Sequence, residues 1–244
     1  MKILVFIDFD AVIRHFVLSG AFREIERRHE VKYVFHTDAT SEKRGMFTDP
    51  VTLGLKNWTT CEIPRARMGS WDRLYSVVAL HNHLGADTFS LRKALVADVR
   101  GWNRAHLYHA LALPGVYGLA RRYFMRKIGV YKPLADLIAA EMPDLIIHPS
   151  LLSGYFINEL LQISKTTRIP LLVVMNSWDN PSAKAMNTGW PTKLVVWGPQ
   201  TKQHAVTNRP EPRKYMCQPT YCAITPPTPS AAAPAAVATT TNDV

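Results

Sequence analysis

Short runs of consecutive apolar residues recur along this chain, and stretches with the periodicity of helices separate them. The runs lie at 3–7 and within "DLIIHPS" (144–150), "IPLLVVM" (169–175) and "TKLVVWG" (192–198), and residues 31–35 are a further predicted strand. A continuous apolar run is typical of a strand that is covered on both faces. Strands that alternate with helices predict an α/β protein with a parallel sheet. We therefore predict a single Rossmann-like domain over residues 1–206, with helices flanking its parallel sheet.

The connections between these runs are also predicted from periodicity. Residues 8–15 are interpreted as the exit loop of the first strand, and apolar residues then recur at helical spacing at Leu18, Ala21, Phe22 and Ile25. The first 36 residues thus form a predicted βαβ unit. Further along, residues 91–127 have a helical pattern that is interrupted at "LPGVYG" (113–118), which predicts two helices.

The last part of the chain, residues 207–244, differs in composition from everything before it. Residues 210–244 contain 7 Pro, 7 Ala and 6 Thr, or 20 of 35 residues, and few large aliphatic side chains. Such a segment cannot bury enough apolar surface to offset the conformational entropy lost on folding. We predict a disordered Pro/Ala/Thr-rich tail.

The net charge narrows the classes of partner. The chain carries 29 basic and 19 acidic side chains, for a formal net charge of +10. An excess of this size favours anionic partners such as nucleotides, phosphates, nucleic acid or acidic membranes. Because the basic residues form no dense runs and no nucleic-acid-binding motif is present, we expect no nucleic acid partner.

The cysteines, the N-terminal residues and the motifs bear on the cellular compartment and on cofactors. Three scattered cysteines predict a reducing compartment, and "MKILVFIDFD" is interpreted as a strand rather than a signal peptide. No apolar stretch reaches the roughly 20 residues of a spanning helix. We expect a cytoplasmic protein, at most peripheral to the inner face of the membrane. No G-x-G-x-x-G follows the first strand, and His81 and His83 lack partners at metal-ligand spacing, so we expect no cofactor and no metal.

Three polar segments follow predicted strands. They are residues 8–15, 148–154 and 176–184, and the second of them contains Ser150. In an open parallel sheet, ligands bind beyond the carboxyl ends of the strands, at the point where the strand order reverses. The sequence therefore predicts a ligand-binding cleft lined by these segments.

The segment "NSWDNPSAK" (176–184) is unusually rich in polar groups for the exit loop of a buried strand. We predict that it binds substrate through Asn176, Ser177, Trp178, Asp179, Asn180 and Lys184. Carboxylate and amide groups bind hydroxyls, and an indole face packs on a sugar ring, so the set suits a polyhydroxylated ligand. The alternative is a structural turn closed at Asn180 and Pro181, with Asp179 capping a helix.

The segment "DFDAVIRH" (8–15) supplies candidate catalytic groups. Imidazoles in general titrate near neutral pH, so His15 is our candidate general base for an acceptor hydroxyl, with Asp10 as a second catalytic candidate. Arg14 is a candidate substrate ligand, because anions are favoured near the start of a helix. In the alternative, Asp8 or Asp10 caps a helix while Arg14 and His15 lie on a solvated surface.

A basic and aromatic stretch lies in the middle of the chain. Residues 100–132 carry seven basic side chains, and no acidic residue occurs between Asp98 and Asp136. Basic and aromatic residues on helices can seat a protein on an anionic membrane surface. A phosphorylated acceptor would suit the same composition, and so would a solvated face over a buried aromatic stripe.

Two parts of the chain resemble a known family. The opening "MKILVFIDFDAVIRHFVLSGAFREIERRHEVKYVF" resembles the first βαβ unit of GT-B glycosyltransferases, in which "IRHF" follows the first strand. The segments "PDLIIHPS", "IPLLVVMNSWDNPSAK" and "PTKLVVWGPQTKQHAV" resemble the end of the same N-terminal domain in bacterial surface-carbohydrate transferases. There a "SWDN…K" loop precedes a "VWG" strand. The resemblance covers residues 1–206.

This resemblance implies a function. Such enzymes transfer a sugar from a nucleotide-sugar donor to a glycan or lipid-linked acceptor in surface polysaccharide biosynthesis, and they need no redox cofactor. Their N-terminal domain mainly binds the acceptor, and their C-terminal domain mainly binds the donor. Because a Pro/Ala/Thr tail stands where the family continues into its second domain, we expect this chain to be a truncated transferase that holds only the acceptor half. The nucleotide sugar would then require a second domain or subunit.

Other classes stay open at this point. A nucleotide-sugar epimerase or a polyol-phosphate transferase has a similar fold, and tight nucleotide binding by the chain alone would favour the epimerase. A non-catalytic interaction subunit that pairs with a separate donor subunit is the third alternative, and an exposed apolar patch near residues 190–206 would favour it.

Overall fold

The structure is a computed structural model of the chain. It describes residues 1–36, 50–51, 53–82, 102–150, 154–176, 188–196, 201 and 220–223. Statements about the fold below concern these residues.

A parallel β-sheet organises the described part of the chain. Its strands are β1 (Lys2–Ile7), β2 (Glu30–Phe35), β3 (Trp58–Thr60), β4 (Leu145–Ser150), β5 (Leu171–Met175), β6 (Lys193–Val196) and β7 (Thr220–Ala223). The strand order is β3-β2-β1-β4-β5-β6-β7, and every described neighbouring pair is parallel. The first six strands have the order of the doubly wound Rossmann fold. The predicted α/β class and parallel sheet are thus confirmed.

Both faces of the sheet are buried, as the continuous apolar runs predict. Successive side chains of a strand point to opposite faces. In β1, Leu4 and Phe6 accordingly pack into one hydrophobic cluster, and Ile3, Val5 and Ile7 pack into another on the opposite face. Burial of all five side chains explains why β1 shows no polar alternation.

Strand β7 lies inside the segment predicted to be a disordered tail. Thr220–Ala223 pairs with Lys193–Val196 along the edge of the sheet. These four residues extend the sheet into the segment for which a tail was predicted. The rest of the predicted tail lies outside the described residues.

The helices flank the sheet and connect its strands. They are α1 (Asp10–Val12), a π-helix (Ile13–Leu18), α2 (Arg23–Arg28), α3 (Arg65–Asn82), α4 (Trp102–Leu111), α5 (Pro114–Ile128), α6 (Lys132–Glu141) and α7 (Ile157–Thr167). The two helices expected within residues 91–127 are α4 and α5. Pro114 occupies the first turn of α5, where its missing N–H has no intrahelical partner to lose.

The segment that follows β1 differs from its prediction. Residues 8–15 were expected to form a loop, but helix begins at Asp10 and passes directly into the π-helix. Leu18, expected on a buried face, is 58% exposed. A π-helix closes i→i+5 hydrogen bonds, so its buried face does not follow the 3.6-residue period that was used for the prediction. Gly20, with φ of 73°, then separates this segment from α2.

A separate helical cluster packs beside the sheet. Helices α3, α4 and α5 bury a common apolar core formed by Trp71, Leu74, Val77, Val78, Leu80, Tyr108, Ala112, Tyr117, Ala120 and Ile128. This core is distinct from the two clusters on the faces of the sheet.

A buried ion pair connects this helical cluster to α7. Arg67 of α3 donates through Nε and through Nη2 to the carboxylate of Glu159, whose side chain is fully buried; the Nη2–Oε2 distance is 2.9 Å. Trp71 donates its indole N–H to the same carboxylate at 2.6 Å. The remaining donors of Arg67 reach the carbonyls of Ile128 and Gly129 at the end of α5, at 2.8 and 2.6 Å. One guanidinium therefore holds three helices together.

Candidate functional site

Buried polar residues collect at the carboxyl edge of the sheet. They are Asp8 after β1, His36 after β2, His148 and Ser150 in β4, and Asn176 after β5. The strand order reverses between β1 and β4, so this edge is the place where ligands bind in doubly wound sheets. Buried polar groups away from such an edge are uncommon in a sheet of apolar strands, so we take the cluster as the candidate site.

His15 and Asn176 form the central contact of this site. Nδ1 of His15 lies 2.7 Å from Oδ1 of Asn176, although 161 residues separate them in sequence. An amide oxygen only accepts, so Nδ1 carries the proton and donates it. In the neutral ring, Nε2 is then the basic nitrogen. The structure thus brings together a predicted catalytic residue and a predicted substrate ligand.

Each partner of this contact is fixed by its own element. His15 lies on the π-helix and is exposed, and π-helical turns occur frequently at functional sites. Asn176 is only 4% exposed, and its backbone N–H donates to the carbonyl of Ser150 at 3.0 Å. Asn176 therefore serves as a buried, immobile acceptor that sets the orientation of an accessible imidazole.

We expect this contact to be visible in the tautomer of His15. In long-range ¹H–¹⁵N spectra at a pH where His15 is neutral, the ring should be protonated at Nδ1. Asn176→Ala removes the acceptor, so the Nε2–H tautomer that free histidine prefers should replace it. Asn176→Asp keeps an acceptor and should retain Nδ1–H. The exposed His106 on α4 serves as the internal reference, and an Nε2–H signal for His15 in the unmodified chain would contradict the assignment.

Asp8 lies beneath the site and joins two strands to α7. Its Oδ1 accepts hydrogen bonds from the backbone N–H groups of Tyr155 and Phe156, both at 3.2 Å, which caps the approach to α7. Its Oδ2 lies 3.1 Å from Nε2 of His148, and neither side chain is exposed. The other ring nitrogen of His148 lies 3.2 Å from the carbonyl oxygen of Phe6. The alternative interpretation of residues 8–15 was that Asp8 or Asp10 caps a helix. Asp8 does accept hydrogen bonds at the start of a helix, but that helix is α7, more than 140 residues away.

Gly154 permits this arrangement. Its φ is 132°, and a Cβ atom there would meet the carboxylate of Asp8, with Cγ at 2.9 Å, and the ring of Phe9 at 3.1 Å. Side chains of L-residues rarely adopt this backbone conformation. Glycine is therefore required where the chain leaves β4 and crosses over the carboxylate.

Aromatic rings border the same edge. The ring of His36 stacks on the ring of Tyr155 at a centroid distance of 3.6 Å. The ring of Phe9 packs against the same tyrosine at a centroid distance of 5.9 Å. Nε2 of His36 accepts the backbone N–H of Ile63 at 3.0 Å, which fixes the ring. Phe9 and Tyr155 are partly exposed. None of these three rings was predicted as a site residue. His36 and Phe9 lie within two residues of the end of a buried strand, which is a signal in the sequence, whereas Tyr155 lies five residues after β4.

The remaining predicted residues are placed as follows. Asp10 and Arg14 form a local ion pair with an Nε–Oδ2 distance of 3.2 Å, one helical turn apart. Ser150 is fully buried, so its side chain lies below the surface of the edge. The predicted ligands Ser177, Trp178, Asp179, Asn180 and Lys184 lie outside the described residues. Their roles stay predictions.

The described residues on either side of that segment are held by hydrogen bonds. The backbone N–H of Asn176 donates to the carbonyl of Ser150. The backbone N–H and hydroxyl of Thr188 both donate to Oδ1 of the buried Asn158, at 2.7 and 2.9 Å. Asn158 lies in the first turn of α7.

Thiol chemistry is not supported at Cys61. Cys61 is 8% exposed, and burial raises the pKa of its thiol to about 11, with Glu159 and Glu62 adding to the shift. A thiol with such a pKa is protonated near neutral pH and is a weak nucleophile.

No cluster of three or more His, Cys, Asp or Glu side chains suited to a metal ion occurs among the described residues. Within the same residues, no helix has the length and hydropathy that a membrane span requires.

The fold and the edge residues define the class of this protein: an α/β protein of the Rossmann type with a polar site at its topological switch point. No protein-family model matches the chain. No curated protein matches it either.

Proposed function

We propose that this chain is the acceptor-binding half of a GT-B-type glycosyltransferase that acts in surface polysaccharide biosynthesis. The contact between His15 and Asn176 is the observation that carries the proposal. It presents an oriented imidazole at the edge of the sheet where ligands bind, with Nε2 as the basic nitrogen. An oriented base at this position is what transfer to a hydroxyl acceptor requires.

The proposed reaction uses His15 as general base. Nε2 takes the proton of the acceptor hydroxyl while the oxygen attacks the anomeric carbon of the donor sugar. The bond between that carbon and the phosphate oxygen breaks, and the nucleoside diphosphate leaves with the electron pair. The imidazolium then returns its proton to solvent. Asn176 acts as a positioning residue, because it holds the tautomer in which Nε2 is free to accept.

Asp10 is a weaker candidate for the base than His15. Its carboxylate is engaged by Arg14 at 3.2 Å. A base must lie within hydrogen-bonding reach of the hydroxyl that it deprotonates, and an ion pair competes for that position. We therefore propose that Asp10 and Arg14 contribute to the shape and the charge of the surface that binds the acceptor.

The acceptor side suits a sugar. Phe9 and Tyr155 offer partly exposed aromatic rings beside the polar edge. Aromatic faces pack on the apolar side of sugar rings, while amide and carboxylate groups bind hydroxyls. The predicted ligands in residues 177–184 would complete the polar part. Groups that stabilise the leaving phosphate would come from a second domain or subunit.

Acceptor binding and sugar transfer should therefore separate in this chain. Soluble oligosaccharides are titrated by calorimetry, and nucleotide release is measured with a panel of nucleotide sugars. We expect binding without transfer, because half a cleft cannot fix donor and acceptor in one geometry. Turnover on the order of 1 per second would overturn the half-enzyme proposal. Tight nucleotide binding without any glycan binding would favour an epimerase instead.

A matched pair of variants localises the binding. Tyr155→Leu keeps an apolar side chain but removes the aromatic face, so glycan affinity should fall about fivefold, the usual worth of one aromatic contact. Tyr123→Leu, on the exposed face of α5, should leave affinity unchanged. An equal effect of both variants would place the glycan elsewhere.

A further inference from the structure

Helix α5 has an apolar face that is turned away from the protein. Its inner face, with Tyr117, Ala120 and Ile128, is buried in the helical cluster. On the outer face, Val116, Leu119 and Tyr123 are 41%, 69% and 60% exposed, and Leu113, just before the helix, is 51% exposed. Large side chains scattered singly on a surface need no explanation, but four along one helix form a continuous patch.

Basic side chains extend the same face. Arg126 and Lys127 lie ten and eleven residues after Val116, which places them on the stripe of Leu119 and Tyr123 at 100° per residue. Arg122 flanks the stripe, and all three cations are exposed. Among the described residues, none of the three has a carboxylate within ion-pair distance. Lys127 lies over the ring of Tyr123 at 5.9 Å.

The sequence stretch that contains this face carries no acidic residue. No acidic residue occurs between Asp98 and Asp136, a stretch that contains α4, α5 and the start of α6. The outer face of α5 thus joins an apolar half, around Leu119, to a cationic half, around Arg126. We call this surface the α5 face.

We propose that the α5 face docks on an anionic lipid bilayer. Its leucine, valine and tyrosine side chains would enter the boundary between headgroups and acyl chains, and its three cations would contact the lipid phosphates. The three cations suit an anionic partner, and the apolar side chains suit a partner whose interior is hydrocarbon. A nucleic acid backbone meets only the first requirement.

The proposal is independent of the glycosyltransferase assignment. It uses none of the residues of the candidate site, so its failure would leave the proposed function untouched. A glycosyltransferase with a lipid-linked acceptor would nevertheless benefit, because docking places the protein where that acceptor resides.

The test is flotation of the full chain with vesicles. Vesicles of phosphatidylcholine alone are compared with vesicles that also contain phosphatidylglycerol, at low and high salt. We expect binding to the anionic vesicles that weakens with salt. Arg122→Gln, Arg126→Gln and Lys127→Gln together should weaken it about a hundredfold, because each cation near an anionic surface contributes about fivefold.

Two further variants separate the α5 face from net charge. Arg23→Gln, Arg27→Gln and Arg28→Gln together remove the same charge from the exposed side of α2 and should change binding only slightly. Val116→Ser with Leu119→Ser keeps every charge and should weaken binding at least about tenfold, because two apolar contacts are lost. Equal binding to neutral and anionic vesicles, or equal losses in the α2 and α5 charge variants, would overturn the proposal.

Discussion

Replacing Glu159 with glutamine is expected to lower the free energy of unfolding by about 3–5 kcal/mol, because it leaves the guanidinium of Arg67 buried without its counter-charge. Arg67 is inserted between α3, the end of α5 and α7, and its side chain is only 15% exposed. Glutamine preserves the size of the side chain and one acceptor for Trp71. The loss should therefore report charge rather than packing, and urea unfolding measures it directly.

Two comparisons test this explanation. Glu24→Gln removes a carboxylate that pairs with Arg27 and Arg28 on the exposed surface of α2. Pairs of this kind contribute little, so a loss of at most about 0.5 kcal/mol is expected. Combining Glu159→Gln with Arg67→Met should recover part of the stability, because the unpaired charge is gone. If the double variant is as unstable as the sum of the two single variants, the ion pair is not the cause.

Gly154→Ala is expected to cost about 2–5 kcal/mol, combining backbone strain with overpacking of a buried site. At φ of 132° an alanine is strained, and its methyl group would meet the carboxylate of Asp8. That carboxylate cannot move freely, because it accepts two backbone hydrogen bonds before α7 and contacts His148. Thermal or urea unfolding monitors the loss.

The control for this substitution is Gly118→Ala. Gly118 lies within α5 with no atom within 4 Å of its would-be Cβ. Alanine should stabilise the helix there by about 0.5–1 kcal/mol, because glycine loses more backbone entropy on folding. The same chemical change should thus have opposite signs at the two positions. A neutral Gly154→Ala would show that the Asp8 carboxylate is not tightly confined.

The link to function runs through the same residues. Asp8 and His148 lie below the edge at which His15 and Asn176 meet, and they fix the strand ends that carry that edge. A variant that displaces Asp8 should therefore disturb acceptor binding as well as stability. Glu159→Gln acts at the helical cluster, so at temperatures where the protein stays folded it should leave glycan affinity unchanged.

The sheet could be predicted from the sequence because a buried strand shows as a short stretch of mostly apolar neighbouring residues. Strand β5 and residues 3–7 of β1 are runs of apolar residues, and β2, β4 and β6 contain such residues beside a few polar ones. A strand covered on both faces needs no polar alternation. The alternation with helices then implies parallel pairing, since parallel neighbours require a crossover connection. The position of the candidate site at the carboxyl edge follows from the same rule.

The identity of the site residues could be predicted only in part. Asn176 stood out because it directly follows a buried strand, and His15 because it lies in the polar segment after β1. Their contact across 161 residues was not predictable, because it depends on which strands are neighbours and on a π-helix that shifts the face of the first helical segment. A helix cap at Asp8 was only an alternative interpretation, and the helix that Asp8 contacts is distant in sequence.

Other features were decided by the tertiary structure alone. Glu159 occupies a position in α7 that a helical pattern assigns to an ordinary charged residue, yet it is fully buried because Arg67 and Trp71 reach it from α3. Strand β7 pairs with β6 although the composition of its segment predicts no strand. Apolar periodicity is a property of residues that are close in sequence. Charge pairing, capping and edge pairing depend instead on the spatial order of the strands in the sheet. That order, with β1 placed between β2 and β4, brings distant polar side chains to one edge of the sheet.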